Sequence, residues 1–189
     1  MSMDKDFLNK YLLELSELMK PDDFILDQLV EIKQALLDAN SKGNKGLIFG
    51  NGGSAAIASH FSVDLTKNAS IRCLNLNESD LITCFANDYG FENWVAKAVE
   101  FYGDQGDVLI VISSSGKSEN MINATASARV KKFSKIITLS GFEEDNPLRR
   151  SGDINLWINS KAYNYVENLH QIWLLALVDL IIGNKEYSA

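Results

Sequence analysis

An α/β fold with a parallel sheet covered on both faces is predicted for this chain of 189 residues by three observations. Short, nearly all-apolar runs alternate with stretches of helical spacing. The runs are too apolar for a sheet with one wet face, and two of them lead through a Gly-rich or Ser-rich turn into a helix. The length suits one domain with a sizeable core.

The elements follow in order. Residues 5–19 and 23–40 carry apolar positions at helical spacing, with Pro21-Asp22-Asp23 between them as stop and cap, so a helix pair is expected over 1–40 and the main domain over 41–189. A strand Gly46–Phe49 leads through a Gly-rich turn into a helix from Ser54, followed by a strand near Ile71–Leu76. Helical stretches near 79–86 and 91–101 precede a strand Val108–Ile112, a Ser-rich turn and a helix from Ser118. Strands Ile136–Leu139 and Ile154–Ile158 come next, Pro147 reads as a turn, and a last helix runs from about Tyr163 to Ile182. That last helix is apolar nearly all round, which predicts burial on all sides and, in a small domain, subunit contacts.

Composition excludes several classes. A net charge of −7 argues against a surface that coats nucleic acid or a polybasic membrane patch, so an anionic ligand must be held locally. Cys73 and Cys84, both in apolar surroundings, suggest neither a disulfide framework nor a cysteine zinc site, and a reducing cytoplasm is expected. The start MSMDKDF lacks a basic-then-apolar signal, and the longest apolar run, Ile172 to Ile182, is broken by Asp179.

In parallel sheets, ligands bind beyond the carboxyl ends of the strands. Gly50-Asn51-Gly52-Gly53-Ser54 allows close backbone approach, with Ser54 placed to cap the next helix and free amides favouring an anion. Its match to a dinucleotide fingerprint is loose: the next strand ends in Asn75-Leu76-Asn77 without a ribose-binding acid, so no nucleotide cofactor is expected. The second loop, Ser113-Ser114-Ser115-Gly116-Lys117-Ser118, offers hydroxyls beside a helix N-terminus. It has Val111 where a P-loop needs its first Gly. Two such loops are expected to converge on one ligand.

Together, "FGNGGSAAIASHFSVDL", "FANDYGFENW", "GDVLIVISSSGKSENMINA" and "ITLSG" resemble the sugar isomerase (SIS) domain, and within it the phosphoheptose isomerases. The resemblance implies a flavodoxin-like, doubly wound five-stranded parallel sheet with an N-terminal helix pair, homotetramers with active sites between subunits, and aldose–ketose isomerisation of a phosphosugar in surface-sugar synthesis. By the matching loops, Asn51, Gly52, Gly53 and Ser54, with Ser113, Ser114, Ser115 and Ser118, are the expected substrate and phosphate contacts. Asn87 and Asp88 resemble the family's substrate-contact turn.

His60 and Asp64 lie four apart on the helix after the first loop, one above the other. The family has a zinc-binding His and a metal-binding acid/base Glu at these places, so the acid here is one methylene shorter. On the last helix the resemblance expects a Gln and, eight residues on, a zinc-binding His. This chain has Glu167 and Leu175 there, while His170 points about 60° away from Glu167 around the helix and reads as a packing residue. The expectation is therefore a divalent metal, zinc by resemblance, on His60, Asp64 and Glu167, with Asp64 as base and His60 beside it. The missing His leaves a second reading open, a noncatalytic SIS adaptor resembling the DnaA initiator-associating protein.

Overall fold

The computed structural model describes residues 3–20 and 22–187. Among them are eight helices and five strands: α1 (Met3–Leu18), α2 (Asp23–Ser41), β1 (Gly46–Gly50), α3 (Gly53–Lys67), β2 (Cys73–Leu74), α4 (Ser79–Tyr89), α5 (Trp94–Tyr102), β3 (Val108–Ser113), α6 (Glu119–Val130), β4 (Lys135–Ser140), α7 (Pro147–Ser151), β5 (Ile154–Trp157) and α8 (Tyr163–Ile182). The strands form one parallel sheet in the order β2-β1-β3-β4-β5.

Alternate residues of each strand feed opposite faces. Ile48, Ile110 and Ile112 pack with α2, α3 and α8, while Leu47, Phe49, Leu109 and Val111 pack with α5 and α6. The order in which strands are added therefore reverses between the parallel neighbours β1 and β3: β1 runs into α3 on one face and β3 into α6 on the other. Such a switch point opens a crevice at the strand ends. At the opposite end of the sheet, the Lys45 ammonium bonds Asp104 at 2.6 Å and buried Asp107 at 2.7 Å, tying β1 to the approach of β3.

Several expectations need correction. Strand β2 spans only two residues because asparagine side chains replace its ladder, Asn75 Nδ2 donating to the Ile48 carbonyl and Asn77 Nδ2 to that of Ala55. Pro147 opens the short helix α7, whose N-cap Asn146 accepts from the Arg149 amide. Asp22 caps α2 through the Phe24 amide as expected, while Pro21 lies outside the described residues. Cys84 is exposed, unlike Cys73, whose thiol burial pushes up to about 12. By length and composition α8 could cross a membrane, yet Leu174, Leu177 and Val178 pack it into the core. It is not buried on all sides, since Ile172, Ala176 and Leu180 face outward in the single chain.

Candidate active site

Gly50 ends β1 where a side chain would strike the Ser54 backbone, at 2.6 Å from its carbonyl carbon, so α3 starts almost on top of the strand. The cap position belongs to Gly52, at φ +56°, and not to Ser54, which is buried inside the first turn. Within the first turn of α3 the Ser54, Ala55 and Ala56 amides bond the Asn51 and Gly52 carbonyls, so the amides at the mouth of the helix are those of Gly52 and Gly53. Asn51 and Asn120 exchange amide hydrogen bonds of 3.0 and 2.9 Å, which clamp this loop to α6.

The second loop is pinned as firmly. Ser113 Oγ donates to Ser118 Oγ at 2.9 Å, and the Lys117 amide donates to Ser115 Oγ at 3.3 Å. Gly116 takes φ +66° against buried Asn146, leaving no room for a Cβ. Asn146 in turn donates to Ser140 Oγ and to the Glu143 carbonyl. The Ser114 hydroxyl is buried with no partner. Asn51, Ser54, Ser113, Ser114, Ser115 and Ser118 line one cavity of about 200 Å³, closed by Tyr163 and Glu167 of α8. The two loops thus converge, and among the described residues no cationic side chain lines the cavity. An anion there would rest on amides, hydroxyls and the N-termini of α3 and α6.

His60 and Asp64 meet on α3, with Nε2 3.3 Å from Oδ2. Asp64 Oδ1 also accepts from Asn68 Nδ2 at 3.3 Å, and His60 Nδ1 lies 3.4 Å from Gln171 Nε2 on α8. The expected third metal ligand is elsewhere. Glu167 turns its carboxylate onto Gly53, seven residues and about 10 Å of helix rise before His60. Both nitrogens of His60 already face partners, and Leu175 offers no donor atom. Among the described residues, no group of three or more His, Cys, Asp or Glu is placed to hold a metal ion. The donor set present does not fit the expected three-ligand site.

Asn87 and Asp88 sit in the last turn of α4 and not in a loop. They are exposed and bonded to one another at 2.9 Å, and neither lines the cavity of their own chain. His170 is fully buried, its Nε2 3.2 Å from the Ser140 carbonyl and its Nδ1 without a partner. Burial pushes its imidazole down to about 4, with the carbonyl contact pulling the other way. The sequence reading missed Asn120, Asn146, Tyr163 and Gln171. Only the place of Gln171, one turn after Glu167, carried a signal that could have found it.

A second, larger cavity of about 650 Å³ lies away from these loops, between the α1–α2 corner, Trp157 and the Leu169–Ala176 stretch of α8. Helix α1 buries none of its residues and exposes Phe7, Leu8, Leu12 and Leu13.

Residues 10–141 match the SIS domain family. A phosphoheptose isomerase of Fusobacterium nucleatum is 33% identical over 79% of this chain and 78% of its own length. Another from Proteus mirabilis is 31% identical over 97% of this chain and 100% of its own. Among solved structures, a phosphoheptose isomerase from Francisella tularensis superposes with a TM-score of 0.88 at 28% identity, over 97% of this chain and 100% of that one.

Proposed function

This chain belongs to the SIS domain family, and on that premise we propose that it is a phosphosugar isomerase of heptose biosynthesis, interconverting ketose and aldose phosphates. The observation that carries this reading is the shared cavity of the two loops, with the unpartnered Ser114 hydroxyl inside it and His60 and Asp64 farther along α3. The amides of Gly52 and Gly53 and the hydroxyls of Ser54, Ser113, Ser114, Ser115 and Ser118 hold the phosphate, and Asn51 and Glu167 accept sugar hydroxyls.

The carbon chain then extends toward His60 and Asp64. Asp64 takes a proton from C1 of the ketose, and the electron pair of that bond becomes the C1–C2 double bond of the enediol. His60 donates a hydrogen bond to the C2 oxygen, where charge develops. The proton returns to C2 while the O1 hydroxyl proton leaves and O2 takes one up, so none is gained or lost overall. The residues present do not fit zinc, since Glu167 stands apart from His60 and Asp64 and Leu175 offers no donor.

The enzyme acts in the cytoplasm as a homotetramer. The exposed apolar face of α1 and the cavity beside Trp157 support burial against other copies. Asn87 and Asp88, exposed and outside the lining of their own cavity, would complete a neighbour's site. Light scattering on the purified protein tests the assembly, and a monomer would sink that part. The adaptor reading is not favoured, since the curated relatives are isomerases. The reaction is tested by following sedoheptulose 7-phosphate to the aldose in deuterated water, with deuterium expected at C2. Absence of both conversion and label would overturn the reading.

A further inference from the structure

We propose that the phenolic hydroxyl of Tyr163 donates a hydrogen bond to the bound phosphoryl group, which makes Tyr163 a specificity-determining residue of the phosphate end. This deepens the phosphosugar reading and rests on it. The two loops bring amides and hydroxyls to the cavity, and α8 closes it with Tyr163 and Glu167. Glu167 brings carboxylate oxygens, which are acceptors and suit sugar hydroxyls rather than a phosphate. Among the described residues lining the cavity, Tyr163 is therefore the side chain of α8 suited to donate to an anion. Its hydroxyl bonds no other group among the described residues. That of Tyr165, two places on, is taken up by the Tyr11 carbonyl and Glu14.

The Tyr163 ring is tied to the serine loop. The Gly141 amide donates to the Ser114 carbonyl at 2.9 Å, and Gly141 has no room for a Cβ against Val166. Phe142, the next residue, takes φ +59°, a backbone region that bulky side chains seldom adopt. Its amide donates to the Ser160 carbonyl at 2.9 Å, and its side chain packs on Ile158, Val166 and Leu169. On this anchored ring stands Tyr163, edge to face with centroids 4.9 Å apart. Tyr163 also opens α8, whose cap residue Ala162 makes no side-chain bond, and the first backbone bond of the helix comes from the Val166 amide. The uncapped helix start favours negative charge on the same side as the phenol. The buried, unpartnered Ser114 hydroxyl lies in the same cavity.

Tyr163→Phe tests the hydroxyl alone, since it keeps the ring contact with Phe142 at a residue 57% exposed. Isothermal titration with inorganic phosphate is expected to show about tenfold weaker binding than in wild type. Steady-state kinetics are expected to show a similar rise in KM for the ketose phosphate with kcat little changed. A role confined to packing would leave phosphate affinity where it is. Equal phosphate affinity in wild type and Tyr163→Phe would overturn the proposal, while conversion of ketose phosphate by wild type would leave the isomerase reading in place. A raised KM with phosphate affinity unchanged would put Tyr163 on the sugar and overturn the proposal too, as would a wild type that binds no phosphate. If Tyr163→Phe weakens phosphate as expected but wild type converts no ketose phosphate, the isomerase reading falls and the phosphate contact stands.

Discussion

At one end of the site Ser113 and Ser114 are 4% and 6% exposed, while the side chains of His60 and Asp64, farther along α3, are 48% and 24% exposed. The first end is held by backbone: a positive φ at Gly52 and at Gly116, a glycine pressed on a helix start, and buried Asn120 and Asn146 bracing the loops. The second is held by side chains alone, at 3.3 Å within α3 and its C-cap and at 3.4 Å from α3 to Gln171 of α8. The grip proposed for a phosphate is therefore fixed locally, whereas the proposed proton chemistry depends on which residues two helices happen to turn toward one another. Of the departures from the pattern of the resembling family, Glu167 and Leu175 fall on α8 and the shorter acid Asp64 on α3.

The largest expected effect separates the two ends outright. Asp64→Asn should lower kcat by about 10²- to 10⁴-fold with KM nearly unchanged, measured by steady-state kinetics on the ketose phosphate. A rise in KM with kcat intact would show that Asp64 belongs to binding and would erase the distinction.

Acid should act on the phosphate end first. His170 braces α8 against the Ser140 carbonyl, and Ser140 Oγ in turn receives Asn146, the residue beneath Gly116. Its native pKa of about 4 lies below the ordinary value of 6.5, so the unfolded chain binds more protons between those limits. Stability is present above pH 6.5 and is lost as pH falls toward 4, by at most about 3 kcal/mol, to be followed by urea unfolding at stepped pH. His170→Asn should flatten that slope whatever it does to stability at neutral pH.

Next in size is Gly116→Ala, which meets both a positive φ and the Asn146 amide. It should cost about 1–3 kcal/mol of stability and raise KM more than it lowers kcat. Ser114→Ala removes one unpartnered hydroxyl and should raise KM by about tenfold at constant kcat. Equal losses in kcat for either variant would tie the two ends together.

The same division governs what was legible in the sequence. Strand alternation and the Gly and Ser loops are local signals, and from them the parallel sheet and the convergence of Asn51 through Ser54 with Ser113 through Ser118 could be read. The two-residue β2 was not legible, because Asn75 and Asn77 replace backbone pairing with side-chain bonds. Nor was the separation of Glu167 from His60. Helical spacing orders residues within one helix, but the pairing of Glu167 with Gly53 and of Gln171 with His60 is set by how α8 crosses α3. The orphaned Ser114 hydroxyl needed three dimensions, since solvation is invisible in a string.

The smallest effect bears most directly on how the phosphate end works. Lys117 sits in the second loop and is the residue that a reading by charge alone would choose as the phosphate's partner. Its side chain is exposed, and its charge acts on the Glu143 carboxyl, which a hydrogen bond from Lys161, together with Lys117, holds below the usual range. The neighbourhood of Lys117 is thus already compensated, and water screens what remains. Lys117→Ala should change KM by less than about threefold, well short of Ser114→Ala, and the difference should persist as salt is raised. A larger, salt-sensitive loss would mean that the loop recruits its anion through a cation after all. The close fit of Gly52, Gly116 and the buried serines would then be scaffolding for Lys117 and not the grip itself.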